Sequence, residues 1–275
     1  MNAWIETIGI IIVALAGMFV GGFFSKLRQW YWILGYIIGF GIIGILLLPR
    51  LDASFSSTQS IFWLTASRVK FVLLCMAVTI GLTTPISRLP HKAEKVLTVT
   101  LMIIVVAWFC VLPILFPALL ERKLSQIRPI FDSHGVCYQS TDYTCGPAAA
   151  VTALNKLGLE GHEGEIAIMS RSNPVTGTLP ASLMGALEDL YSKDGLQCRY
   201  RKFESSAQLN EAGITLAMIK NAFLNDHCVA VIEVTKDKVT LADPVIGKMT
   251  MSHEHFETIW RHRGIVLSRQ EPQKI

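Results

Sequence analysis

The sequence predicts two units of different class: an all-α region of four membrane-crossing helices over residues 1–124, then an α+β domain over residues 125–275. Three observations predict this. Charge is nearly missing from the first part: residues 1–120 hold eleven Asp, Glu, Lys or Arg, eight of them basic, while residues 121–275 hold 17 basic and 18 acidic residues. Apolar runs of membrane-spanning length fill that first part. Beyond it, helical and strand-like patterns follow one another, as in a mixed domain. The net charge of +4 therefore arises wholly in the first part. Basic residues that flank apolar runs point to membrane loops, so no nucleic-acid partner is expected.

The four runs cover about 7–25, 30–49, 70–87 and 96–119. Crossing the hydrocarbon core takes about 20 apolar residues, within a range of roughly 17–25. The first, second and fourth runs meet this, and the third is slightly short. Starting the third at Ile61-Phe62-Trp63 would bury Arg68 and Lys70, so the short version is kept. Trp30, Tyr31 and Trp32 open the second run, where aromatic rings favour the interface. Gly35, Gly39, Gly41 and Gly44 line it, either to let helices approach closely or as ordinary membrane glycines. The first run lacks a basic n-region and further spans follow it, which argues against a cleaved signal peptide. No ionisable residue falls deep inside a run, so no ion pathway is expected. The region reads as a multi-pass anchor in the cell membrane, with the lipid bilayer as its partner.

Orientation follows from loop charge. Lys26 and Arg28 follow the first run, and Arg88, Lys92 and Lys95 fill the third loop. Placing these in the cytoplasm puts both the N-terminus and the C-terminal domain outside. Arg50, Arg68, Lys70, Arg122 and Lys123 would then lie outside, so the basic counts tie at five a side. The asymmetry around the first run, and the serines of the second loop (Ser54, Ser56, Ser57 and Ser60), favour an extracytoplasmic domain.

In the second unit, residues 146–157 are expected to form a helix with Pro147 in its first turn and Gly158 as its stop. A second helix is expected over 181–191. Residues 228–234 (Cys-Val-Ala-Val-Ile-Glu-Val) are apolar and β-branched, which predicts a strand. Lys236-Asp237 makes a turn, and 238–242 form the returning strand, ending at Asp243-Pro244.

Four cysteines lie in this unit, Cys137, Cys145, Cys198 and Cys228; Cys75 and Cys110 lie in apolar runs and read as small hydrophobes. No C-x-x-C pair exists, and His253 and His255 have no evident third ligand, so neither metal nor cofactor is expected. In an oxidising compartment Cys137 could pair with Cys198 or Cys228, and three unpaired thiols stand as an equal alternative. Cys145 stands apart because it directly precedes a helix start, where the positive end of the dipole favours a thiolate. Gly146 beside it lets the backbone approach a substrate. His227 opens the 228–234 strand, and Asp243 closes the returning one, so the two should lie close across the hairpin. An acid beside a histidine orients it as a base. Gln139, six residues before Cys145, has an amide that can donate to an oxyanion together with the Cys145 N–H.

Gln139-Ser-Thr-Asp-Tyr-Thr-Cys145-Gly-Pro-Ala-Ala resembles the nucleophile motif of the bacteriocin-processing, C39-type cysteine peptidases. Gly177-Thr178-Leu179 is similar to the middle Gly-Thr motif of that family. His227-Cys-Val-Ala-Val-Ile and Leu241-Ala-Asp243-Pro244-Val-Ile-Gly247 are similar to its histidine and Asp-Pro-x-x-Gly segments, and Ser252 to Trp260 to its closing segment. The resemblance spans roughly 130–268 and implies a papain-like fold. It implies Cys145 as nucleophile, His227 as base, Asp243 as orienter and Gln139 as oxyanion donor, with Gly146, Gly177 and Thr178 at the substrate. The expected function is a membrane-anchored cysteine endopeptidase acting on a peptide or leader peptide. Alternatives are an amidase or acyl transferase with the same triad, or a silent peptide-binding domain, against which the presence of all three residues argues. The family commonly cuts after a glycine pair and often forms part of an ABC exporter. This chain carries no Gly-x-x-x-x-Gly-Lys-Ser/Thr loop, so nucleotide chemistry is not expected and any transporter would be a separate partner.

Overall fold

The structure is a computed structural model that describes residues 3–28, 30–51, 64–222 and 226–270. The chain divides into two compact units, Met1–Leu119 and Leu120–Ile275. The sequence reading placed this boundary at 124. The division falls earlier, inside a helix that runs on to Leu124 without a break.

The first unit contains α1 (Ala3–Lys26), α2 (Ile33–Leu51), α3 (Val69–Thr83, then a 3₁₀ turn Ile86–Arg88) and α4 (Lys92–Leu124). α4 passes through a π-helical turn at Ala107–Val111 and carries Pro117, which has no N–H to give the helix. Small residues set the packing. A Cβ on Gly17 or Gly21 of α1 would strike Thr79 or Thr83 of α3, and one on Gly39 of α2 would lie 3.1 Å from the Ala77 carbonyl. Gly41 and Gly44 meet nothing, so only part of the α2 glycine row serves close approach. Glu6 of α1 and Arg68, just before α3, form an ion pair.

Among the described residues, three stretches are long and apolar enough to cross a membrane: Ala3–Lys26, Val69–Arg88 and Lys92–Leu124. Of the four expected spans, the second falls short of this measure. The apolar part of α2 is Ile33–Leu48, about 24 Å at ~1.5 Å per residue, against a core of about 30 Å. The third run, expected to be short, qualifies because the 3₁₀ turn extends it to Arg88. The serine-rich loop and the alternative start at Ile61-Phe62-Trp63 lie outside the described residues.

The second unit is α+β. A short hairpin, β1 (Ile130–Phe131) and β2 (Cys137–Tyr138), leads to α5 (Cys145–Lys156), α6 (Glu163–Met169) and α7 (Pro180–Tyr191). Then come β3 (Leu196–Lys202), α8 (Gln208–Ala212), β4 (Thr215–Lys220), β5 (Asp226–Val234), β6 (Lys238–Asp243), β7 (Gly247–Ser252), α9 (His253–Ile259) and β8 (Trp260–Arg269). The last six strands form one antiparallel sheet in the order β3-β8-β4-β5-β6-β7.

Two-residue alternation loads both faces of this sheet. Leu216, Met218, Cys228, Ala230, Ala242, Ile265 and Leu267 join α5 and α7 in one core. Ala217, Val229, Val231, Val239 and Leu241 join Phe203, Phe256 and Trp260 in the other. A central strand with both faces covered reads as a continuous apolar run, which is why 228–234 was legible as a strand. Each fully buried large side chain contributes roughly 1.5–3 kcal/mol, and Trp260, Phe203 and Phe256 are all buried. α5 carries Ala148, Ala149 and Ala150, all fully buried, so it lies close against the sheet and its first residue is held firmly.

Candidate active site

α5 begins at Cys145, one residue before the expected start, so the thiol sits at the first helical position. Thr144 precedes it, fully buried, with its hydroxyl hydrogen-bonded to Thr141. The β5–β6 hairpin pairs Ala230 with Ala242, which brings the start of β5 and the end of β6 to one end of the sheet. There His227 Nε2 lies 2.9 Å from Asp243 Oδ1, and the Cys145 thiol lies near enough to the ring to help raise the His227 imidazole. Nε2 serves Asp243, so Nδ1 is the ring nitrogen left for sulfur. Thus the structure brings Cys145, His227 and Asp243 into one connected row.

Asp243 is buried, 3% exposed, and its Oδ1 also accepts the backbone N–H groups of Val245 (2.7 Å) and Ile246 (3.3 Å). The Asp-Pro turn thereby fixes the carboxylate that faces the imidazole. Burial pushes the Asp243 carboxyl upward, but the bonds from His227 and Val245 outweigh it and hold it below the ordinary value. For His227, burial pulls downward, and the bonds to Asp243 and then Cys145 outweigh it, raising the imidazole from 6.5 to about 9. The charged, doubly donating ring is thus the favoured form near neutrality.

Cys145 differs from the other thiols of the unit. Cys137 is fully buried in the core, and burial, with Glu163 nearby, pushes its thiol to about 12. Burial first and Glu188 second push Cys198 to about 12. Cys228 is buried and held well above the ordinary thiol value by burial, then by Cys145 and Asp243. Cys145 is partly exposed, as Cys198 is, and it alone of the four lies at a helix start beside the His227 imidazole. All six cysteines are free, so of the two alternatives the structure shows Cys137, Cys198 and Cys228 unpaired.

Gln139 lies in the loop between β2 and α5. Its N–H donates to the Pro244 carbonyl at 2.9 Å, tying this loop to the Asp243 turn. Its side-chain Oε1 is buried and has no hydrogen-bond partner among the described residues. Gly146 has a use different from the expected one: a Cβ there would lie 3.2 Å from both Thr178 and Leu183. The close approach it permits is therefore to its own chain. Thr178, also expected at the substrate, donates its hydroxyl to the Tyr143 carbonyl (3.3 Å) and pairs with the Ser172 hydroxyl (2.6 Å), which braces the residues ahead of Cys145. Gly177 closes the turn before it at φ +65°, a conformation that costs other residues about 1–2 kcal/mol. Its backbone exchanges hydrogen bonds with Asn173.

Residues 133–274, just over half of the chain, match the Peptidase C39 family. The chain belongs to the peptidase C39 family. This chain is 28% identical over 134 residues to an uncharacterized protein of Methanothermobacter thermautotrophicus, a match covering 49% of this chain and 88% of that one. A second uncharacterized protein, from Methanothermobacter marburgensis, is 28% identical over 133 residues, covering 48% and 87%. Among solved structures, the peptidase domain of Streptococcus ComA, a bi-functional ABC transporter, is similar at a TM-score of 0.42 and 22% identity, over 48% of this chain and 96% of that domain. A double glycine motif protease from an AMS/PCAT transporter, solved with its leader peptide, gives 0.41 and 17%, over 53% and 100%.

Two features of the C39 domain's site escaped the sequence reading. Glu163 is fully buried beside the Gln139 loop, and no residue pattern marks it as different from a surface glutamate at a helix start. The Pro244 carbonyl, the acceptor for Gln139, is a backbone group that carries no sequence signal.

Proposed function

We propose that this chain is a membrane-anchored cysteine endopeptidase that cleaves a peptide or leader peptide through Cys145, His227 and Asp243. The observation that carries the reading is the grouping of these three side chains, with the sulfur at a helix start beside the imidazole and the carboxylate buried behind it, 2.9 Å from Nε2. In the first step the Cys145 sulfur attacks the scissile carbonyl carbon, its proton residing on His227 Nδ1. The oxyanion takes hydrogen bonds from the Cys145 N–H and the Gln139 side-chain amide. His227 then protonates the leaving amine, and the peptide C–N bond breaks to leave a thioester. Water, deprotonated by His227, attacks the thioester and releases the acid and the thiol. Asp243 holds the ring so that Nδ1 faces the sulfur throughout.

The test is cleavage of a proteome-derived peptide library by the full-length protein in detergent, with new peptide ends identified by mass spectrometry. Cleavage that disappears in Cys145→Ala protein is expected; no Cys145-dependent product would overturn the reading. Once a cleaved peptide is known, Gln139→Ala is expected to lower kcat by roughly a hundred- to a thousandfold, the range for one oxyanion donor, with KM little changed. A KM rise at constant kcat would make Gln139 a binding residue instead.

Sidedness turns on α2. Its apolar part is short, but Trp30, Tyr31 and Trp32 lead into it, and aromatic rings of this kind sit at the membrane interface. We take α2 to cross, which gives four crossings and an extracytoplasmic peptidase from an N-out start. A C-terminal alkaline phosphatase fusion should then be active and a C-terminal fluorescent protein that matures only in the cytoplasm dark. The reverse pattern would mean three crossings or an N-in start.

A further inference from the structure

We propose that Glu163 is a positioning residue that aims the oxyanion donor Gln139, an inference that rests on the peptidase reading above. Glu163 is the first residue of α6 and is 0% exposed. Among the described residues it makes no ion pair with a Lys or Arg. A buried carboxylate without a cation is expensive to keep unless its oxygens are well used. Both are used on one residue: Oε1 accepts the Ser140 backbone N–H at 2.8 Å, and Oε2 accepts the Ser140 hydroxyl at 2.7 Å.

Ser140 directly follows Gln139, so this grip acts on the peptide plane that joins them. On the other side, the Gln139 N–H donates to the Pro244 carbonyl at 2.9 Å, and the Cys137 N–H donates to Thr152 Oγ1 of α5 at 2.9 Å. The backbone on both sides of Gln139 is thereby tied, to Glu163 ahead and to Pro244 and α5 behind. The Gln139 side chain itself has a buried Oε1 with no partner among the described residues. No hydrogen bond to that oxygen sets its direction, so the direction depends on the backbone that Glu163 holds. A displacement of about 1 Å in a catalytic group can cost on the order of a hundredfold in rate.

The test uses the full-length protein in detergent and the library peptide that the wild type cleaves best, synthesised with a fluorophore and quencher. Glu163→Gln keeps the volume but turns an NH₂ toward one of the two Ser140 donors. Ser140→Ala removes only the hydroxyl arm and is a small surface-loop change that carries the test if Glu163→Gln protein does not fold. Each is expected to lower kcat on the order of tenfold with KM unchanged. Alkylation of Cys145 by iodoacetamide, a substitution that forms no oxyanion, should keep its wild-type rate. In a Gln139→Ala background neither change should lower kcat further, because the group being aimed is gone. An undiminished tenfold loss in that background, an equal fall in the alkylation rate, or an unchanged kcat would each overturn the proposal. The reading beneath it fails separately: wild-type protein without Cys145-dependent cleavage would remove both, whereas an inert Glu163 beside a critical Gln139 removes the positioning role alone.

Discussion

Cys145→Ala is expected to abolish peptide cleavage, on the order of a millionfold, the scale seen when a nucleophile acting as one unit with its base is removed. The protein should stay folded and inserted. Alanine is the best helix former, and the change removes one sulfur from a partly exposed position at the start of α5. The buried residues behind it (Ala148, Ala149 and Ala150) are untouched, so the helix keeps its seat on the sheet. The measurement is turnover of a library peptide beside a thermal melt. Labelling by an electrophilic thiol probe should vanish in the variant, since Cys137 and Cys228 are buried with raised thiols and the partly exposed Cys198 is pushed up to about 12. A fully active Cys145→Ala protein would sink the peptidase reading.

His227→Ala should be nearly as damaging. The sulfur loses the group that holds its proton, and the leaving amine loses its acid. The double variant Cys145→Ala, His227→Ala should be no worse than either single change, because the two act as one unit. The pH dependence follows from the raised imidazole. His227 stands at about 9 in the folded protein against 6.5 ordinarily, so the imidazolium persists through neutrality and is lost as pH rises through about 9. The rate should fall over that range. The linked contribution to stability has the same sign: it is present in full below 6.5 and lost as pH rises through about 9. Asp243→Asn removes the charge that lies 2.9 Å from Nε2, so the alkaline fall should move to lower pH, with a smaller loss of rate at its optimum than His227→Ala causes. An alkaline limb that does not move in Asp243→Asn protein would show that another group governs it.

Much of the fold was legible because local physics and tertiary packing agree there. The helix after Cys145 follows from Pro147 in its first turn and Gly158 at its stop, and the structure gives Cys145–Lys156. The 228–234 strand is covered on both faces and reads as an unbroken apolar run; the structure adds Asp226 and His227 at its start. The amphipathic edge strand β3 and the five-residue helix α8 went unread. β3 alternates charged and apolar residues on a half-covered edge, and α8 is too short to show a period. The start of the second run falls three residues ahead of α2 because the Trp-Tyr-Trp cluster counts as apolar in sequence yet precedes the helix.

What the sequence determined by itself is the order of chemistry along the chain: apolar runs first, then a cysteine at a helix start, and later a histidine and an aspartate at opposite ends of one hairpin. Spacing within a hairpin bounds distance, so His227 and Asp243 were bound to lie near each other. Tertiary structure alone decided that this hairpin end meets the first turn of α5, since α5 and β5 are about 80 residues apart and only sheet-on-helix packing joins them. It also decided the use of Gly146 and Thr178, whose open side and hydroxyl are taken up within the domain. And it decided the burial of Glu163 against Ser140, because a carboxylate's environment is set by whatever folds over it, which no local pattern encodes.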